Sequence, residues 1–275
     1  MASGRMRFYS ISQMGQTEFR YVIPNDMPAE MISGNPYYSR PARTLYLLHG
    51  YSGNDSDWEF NGIAEDVASK YNLAVFMISA GNDFYLNRPA AGRQYQTYAG
   101  DEIVRYTRKT FGLSKRREDT LIGGLSMGGY GAMHTALAYP ETFAGAICLS
   151  SALIIHEMTG IQPGFRNPAA NYEYYHEVFG DLSRLDETEA NPEVQFAGLK
   201  AKGIQTPSIY MAVGTEDFLY ENNQVTRKAL DALGADLKYE EGPGAHDWTF
   251  WNHYIINGVE WMLQKVDQQM MQEDR

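Results

Sequence analysis

Thr120-Leu-Ile-Gly-Gly-Leu-Ser126-Met-Gly-Gly-Tyr-Gly-Ala132 carries the fold in one line. Four residues of a short apolar strand run into Gly124-Leu125-Ser126-Met127-Gly128, and a helical pattern follows from Met127 to Ala138, ending before Pro140. A serine between a buried strand and a helix sits on a sharp turn that projects its hydroxyl from the sheet edge. Crowding on such a turn demands small neighbours. Gly124, Gly128, Gly129, Gly131 and Ala132 supply them and let helix and strand pack closely.

Outward from this turn the same alternation repeats. Leu45–Leu48, Ala74–Ile78, Ala144–Leu149, Ser208–Val213 and Leu237–Tyr239 read as strands. Helical patterns occupy 63–71, 103–111, 222–233 and 248–263. Wholly apolar strands separated by amphipathic helices predict an α/β fold, a mainly parallel, twisted sheet covered on both faces. Arg7–Ile11 and Phe19–Ile23 predict an amino-terminal hairpin, and the Pro/Gly-rich stretch 26–42 a loop. Residues 152–206 break the rhythm and are expected to form an insertion above the sheet, a cap on one domain spanning 1–275. Right-handed crossovers place every parallel strand's carboxyl end on one rim.

A serine hydroxyl is a poor nucleophile until a base takes its proton and a carboxylate orients that base. On a strand–serine–helix turn the partners follow in the order acid, then histidine. Gly214-Thr215-Glu216-Asp217 follows the fifth strand, and Gly244-Ala245-His246-Asp247-Trp248 follows the sixth. Asp217 is preferred over Glu216 because it lies further into its loop, and Asp247 is too close to the histidine to reach its far nitrogen. Among six histidines, His246 alone has the right order and loop. His49 is assigned to holding backbone, His134 to the far end of the serine's helix, His156 and His176 to the insertion, and His253 to the last helix. The oxyanion of an acyl-transfer intermediate needs two backbone donors. Met127 N–H is one. Tyr51 N–H, with Gly50 as its alternative, is expected from the loop His49–Asn54.

Composition excludes other chemistries. The 275 residues carry a formal charge of −11, and the densest basic run, Lys115-Arg116-Arg117, is followed at once by Glu118-Asp119, so no nucleic-acid surface is expected. The apolar stretch 143–155 falls short of the roughly 20 residues of a membrane span. Neither a phosphate loop nor a dinucleotide turn is present, His156-Glu157 lacks its second histidine, and no cofactor or metal is expected. The single cysteine, Cys148, lies in a strand and reads as packing. With no signal-like amino terminus, a cytoplasmic location is expected; Met6 as the natural start and a removed leader both remain open. The 20 tyrosines stand out, and many are expected to face the serine's rim.

With these motifs in hand, the chain resembles the esterase D / tributyrin esterase branch of the α/β-hydrolases. The resemblance rests on Leu47-Leu48-His49-Gly50-Tyr51, Gly124–Ala132, Gly214–Asp217 and Gly244–Trp248. Relatives of this branch include feruloyl and acetyl-xylan esterases, S-formylglutathione hydrolases and mycolyltransferases. The resemblance implies a serine carboxylesterase with Ser126 as nucleophile, His246 as base, Asp217 as orienting acid, and the Tyr51 and Met127 amides as oxyanion hole. The formylglutathione hydrolases carry a cysteine in the oxyanion loop and histidines beside the serine motif. Here Tyr51, Ser52, Leu125 and Tyr130 stand there, which favours oxygen esters, of short-chain acyl or hydroxycinnamoyl groups on carbohydrate. Trp58, Phe165, Tyr172, Tyr175 and Trp248 are the expected substrate contacts. The alternatives are a thioesterase or acyltransferase with the same residues, and a non-catalytic binding protein on the same fold.

Overall fold

The computed structural model describes residues 1–273. Eight strands form one twisted sheet: β1 Ala2–Ser10, β2 Gly15–Ile23, β3 Arg43–Leu48, β4 Leu73–Ile78, β5 Thr120–Leu125, β6 Gly145–Leu149, β7 Ser208–Gly214 and β8 Leu237–Gly242. Their order is β1-β2-β4-β3-β5-β6-β7-β8. From β4 to β8 every neighbouring pair is parallel, while β2 runs antiparallel to both β1 and β4. The helices are α1 Ala64–Tyr71, α2 Ile103–Phe111, α3 Met127–Ala138, α4 Tyr172–Phe179, α5 Pro192–Ala201, α6 Tyr220–Ala232 and α7 Trp248–Glu273. This is an α/β-hydrolase arrangement. Among the described residues, no helix is long and apolar enough to cross a membrane.

Strands that are apolar throughout serve two cores at once, because alternate side chains point to opposite faces. Leu45 and Leu47 join the cluster beneath α1 and α7, with Val67, Ile255 and Val259. Tyr46 and Leu48 join the cluster beneath α2 and α3, with Val104, Met133 and Phe196. Each such side chain contributes about 1.5–3 kcal/mol on leaving water, enough to fix the register of the central strands.

Several boundaries differ from expectation. The hairpin begins at Ala2, paired with Ile23, so the first strand is five residues longer at its start. Short helical turns at Ala29–Ile32 and Pro36–Ser39 punctuate the expected loop. A turn of π-helix, Tyr98–Glu102, precedes α2, and α7 continues ten residues past Leu263. The insertion divides in two. Residues Glu157, Met158, Asn167–Ala169, Tyr174 and Tyr175 wall a cavity over the sheet rim, whereas α5 packs beside α3. The tyrosines are the largest departure. Tyr46, Tyr71, Tyr85, Tyr98, Tyr130 and Tyr210 are buried, and only Tyr51, Tyr174 and Tyr175 reach that cavity.

Two glycines govern how closely α3 approaches the sheet. A Cβ on Gly124 would lie 2.3 Å from the Gly128 carbonyl oxygen, and one on Gly128 would lie 2.5 Å from the carbonyl oxygens of Leu48 and His49. Backbone cannot step aside as a flexible side chain can. Gly128→Ala is therefore expected to cost about 1–3 kcal/mol and lower the thermal midpoint. Gly198→Ala, in α5 with nothing within 4 Å of the added carbon, should leave the midpoint unchanged or raise it. Thermal denaturation of both variants checks this.

Candidate active site

Ser126 stands between β5 and α3 with φ 55° and ψ −121°, a conformation L-residues seldom adopt. Its amide donates to the Leu149 carbonyl at 2.9 Å, and its own carbonyl accepts from Gly129, Tyr130 and Ala152 at 2.9–3.1 Å. Four backbone bonds thus hold the turn and leave the hydroxyl facing the rim.

His246 comes from the loop between β8 and α7. Its Nε2 lies 2.9 Å from Ser126 Oγ. Its Nδ1 lies 2.9 Å and 3.1 Å from the two Asp217 carboxylate oxygens. Nδ1–H donating to the carboxylate leaves the Nε2 lone pair to accept the serine proton. The ring is held between aromatic neighbours, 4.5 Å from Phe218 and 5.0 Å from Trp251.

The Asp217 side chain is fully buried. Burial opposes its ionisation, but hydrogen bonds from His246 and the Leu219 amide outweigh that cost and hold its carboxyl below the usual range. Glu216, the neighbouring alternative, points elsewhere. Its carboxylate accepts from the Gly244 amide and ties the two rim loops together. Asp247 accepts from the Phe250 amide at the start of α7.

Tyr51 and Met127 line the cavity beside Ser126. Met127 is the first residue of α3, so its amide has no intrahelical acceptor and sits at the positive end of the helix dipole. The Tyr51 loop is set by His49, whose ring bonds the Gly50 carbonyl at 2.7 Å and accepts from the Ala80 amide at 3.0 Å.

The cavity has a volume of about 870 Å³. Tyr175 and Trp248 line it, as expected, and Tyr174, Phe218, Leu219 and Trp251 join them. Three expected contacts lie elsewhere. Trp58 is 1% exposed, its indole N–H given to the Leu48 carbonyl, because it packs under Trp248 as part of the core. Phe165 leans on Tyr175, and Tyr172 stacks on His176; neither is among the lining residues. Phe218 and Trp251 escaped sequence reasoning, although one adjoins Asp217 and the other lies one helical turn from Trp248. Among the described residues, no three His, Cys, Asp or Glu side chains converge to hold a metal ion.

Comparison with known proteins now fixes the family. Residues 30–262 match the family described as "Putative esterase". The chain belongs to this esterase family. An acetyl esterase of Caldicellulosiruptor saccharolyticus is 42% identical over 267 residues, covering 97% of this chain and all of that one. Among solved structures, the fluorophosphonate-binding serine hydrolase FphF of Staphylococcus aureus superposes with a TM-score of 0.80 at 28% identity, covering 95% of this chain and 98% of that one. The S-formylglutathione hydrolase FrmB of the same organism gives 0.79 at 28%, with the same coverage. The esterase is a serine hydrolase of carboxylic esters.

His134, on α3, is buried between Gln96 and the Glu189 carbonyl, and burial pushes its imidazole down to about 4. An unfolded chain protonates this ring near 6.5, so between pH 6.5 and 4 the unfolded state binds the extra proton and stability falls with acidification. His49, also held down by burial, adds to the same trend. His134→Gln should therefore show a shallower loss of thermal midpoint from pH 6.5 to 4 than the parent. Melts across that range test it.

Proposed function

We propose that this esterase hydrolyses short-chain acyl esters, acetyl foremost, of small or carbohydrate-linked alcohols, with Ser126, His246 and Asp217 as its catalytic triad. The observation that carries the reading is the unbroken chain from the buried Asp217 carboxylate through both ring nitrogens of His246 to Ser126 Oγ. Ser126 Oγ attacks the ester carbonyl while His246 Nε2 takes its proton. Asp217 stabilises the imidazolium so formed. The carbonyl oxygen, now negative, is held by the Tyr51 and Met127 amides. Collapse of the tetrahedral intermediate expels the alcohol, which takes the proton from His246 and leaves an acyl-serine. Water, deprotonated by His246, then attacks the acyl carbon and releases acid.

The choice of acetyl is supported by the 42% identical acetyl esterase. A carbohydrate-sized alcohol is supported by the cavity's volume and by Phe218, Trp248 and Trp251, whose flat faces suit a sugar ring.

p-Nitrophenyl acetate should be hydrolysed, and Ser126→Ala should lower kcat by at least about 10³-fold. Full activity in that variant would overturn the assignment. Asp217→Asn should lose kcat with little change in KM, since it alters the orientation of His246 and its charge stabilisation rather than substrate contacts. Across a panel of p-nitrophenyl esters, kcat/KM should decline from acetyl to longer chains; a feruloyl ester preferred over acetyl would contradict the acyl assignment.

A further inference from the structure

Among the described residues, two carboxylates line the cavity that holds Ser126 and His246, and no lysine or arginine does. Asp57 follows the oxyanion loop. Among the described residues its carboxylate has no hydrogen-bond or ion-pair partner. Glu157 lines the same cavity from the insertion and accepts from Asn222 at 3.2 Å. Nearby acidic groups on the oxyanion side are neutralised differently, since Asp55 and Glu59 are both paired with Arg20. The loops after β7 and β8 add Glu216 and Asp247 and carry no lysine or arginine. Between residues 152 and 171 the one lysine or arginine is Arg166, and His156 turns to Glu193 at 3.0 Å; neither is among the lining residues.

We propose that Asp57 and Glu157 act as a charge filter, making this cavity selective for esters of uncharged or cationic alcohols and against anionic leaving groups. The inference rests on the triad reading above and deepens it. Two fixed negative charges in a half-enclosed cleft raise the energy of a bound anion, and the low-dielectric aromatic walls screen them less than open water does. For an uncharged polyol the same oxygens are hydrogen-bond acceptors, so they bind hydroxyls while repelling carboxylates and sulfonates. A glutathione thioester, with more carboxylates than ammonium groups at neutral pH, falls on the rejected side.

Three meta-substituted phenyl acetates of nearly equal shape test this: 3-tert-butylphenyl acetate, 3-acetoxy-N,N,N-trimethylanilinium and 3-acetoxybenzenesulfonate. Each kcat/KM is divided by the ester's imidazole-catalysed rate to remove intrinsic reactivity. At low salt the neutral ester should exceed the sulfonate by about tenfold, and the cationic ester should at least match the neutral one. The gap should narrow as ionic strength rises. In the Asp57→Asn/Glu157→Gln double variant the neutral-to-sulfonate ratio should fall toward unity. Because the readout is a ratio within one enzyme sample, partial unfolding cancels. Equal rates for neutral and sulfonated esters in the parent, or an unchanged ratio in the double variant, would overturn the filter. Absence of Ser126-dependent hydrolysis of the neutral ester would instead defeat the triad reading.

Discussion

Everything at this site hangs on the backbone of one residue. Ser126 is held at φ 55° by four backbone hydrogen bonds, one given to β6 and three received from α3 and the segment after β6. A left-handed conformation at a non-glycine residue costs of order 1–3 kcal/mol and persists only where its surroundings over-determine it. The surroundings here are the parallel centre of the sheet and a helix pressed close by Gly124 and Gly128. A looser helix would let the turn relax and the hydroxyl leave the line to His246.

Given that turn, the remaining parts follow from topology. Crossovers of one hand bring the loops after β3, β5, β7 and β8 to the same rim, so residues as distant as Tyr51, Ser126, Asp217 and His246 become neighbours. Each loop is tied by its own bonds: His49 to Gly50 and Ala80, Glu216 to Gly244, Asp217 to the Leu219 amide. The rings of Phe218 and Trp251 pack against His246 and restrict its rotation. Of these two rings Trp251 is buried and Phe218, on the cavity wall, is 74% exposed.

How much of this was legible in the chain depends on the range of the physics involved. Helix α3 was readable to the residue, because Ser126 starts it and Pro140 follows its end. The strands were readable from apolar runs. Ser126, Asp217 and His246 could be named because each sits at a fixed place relative to its own strand. Cavity walls obey no such local rule. Trp58 looked like a pocket residue from its nearness to the oxyanion loop, yet its neighbour in space is Trp248, nearly 200 positions away, and the pair packs it inward. Tyrosines were ambiguous for a related reason. A buried Tyr46 satisfies its hydroxyl through Thr107, and a buried Tyr85 through the His49 carbonyl, contacts that only the folded chain provides. That Asp57 and Glu157, 100 residues apart, line one cavity was likewise invisible before the loops met.

In the proposed mechanism Ser126, activated through His246, is the nucleophile. Peptide mapping after treatment with a fluorophosphonate probe tests it most directly, comparing the parent with His246→Ala. A single adduct on the peptide containing Ser126 is expected in the parent, and labelling slowed by orders of magnitude in the variant. An adduct on another residue, or equal labelling rates in the two proteins, would contradict it.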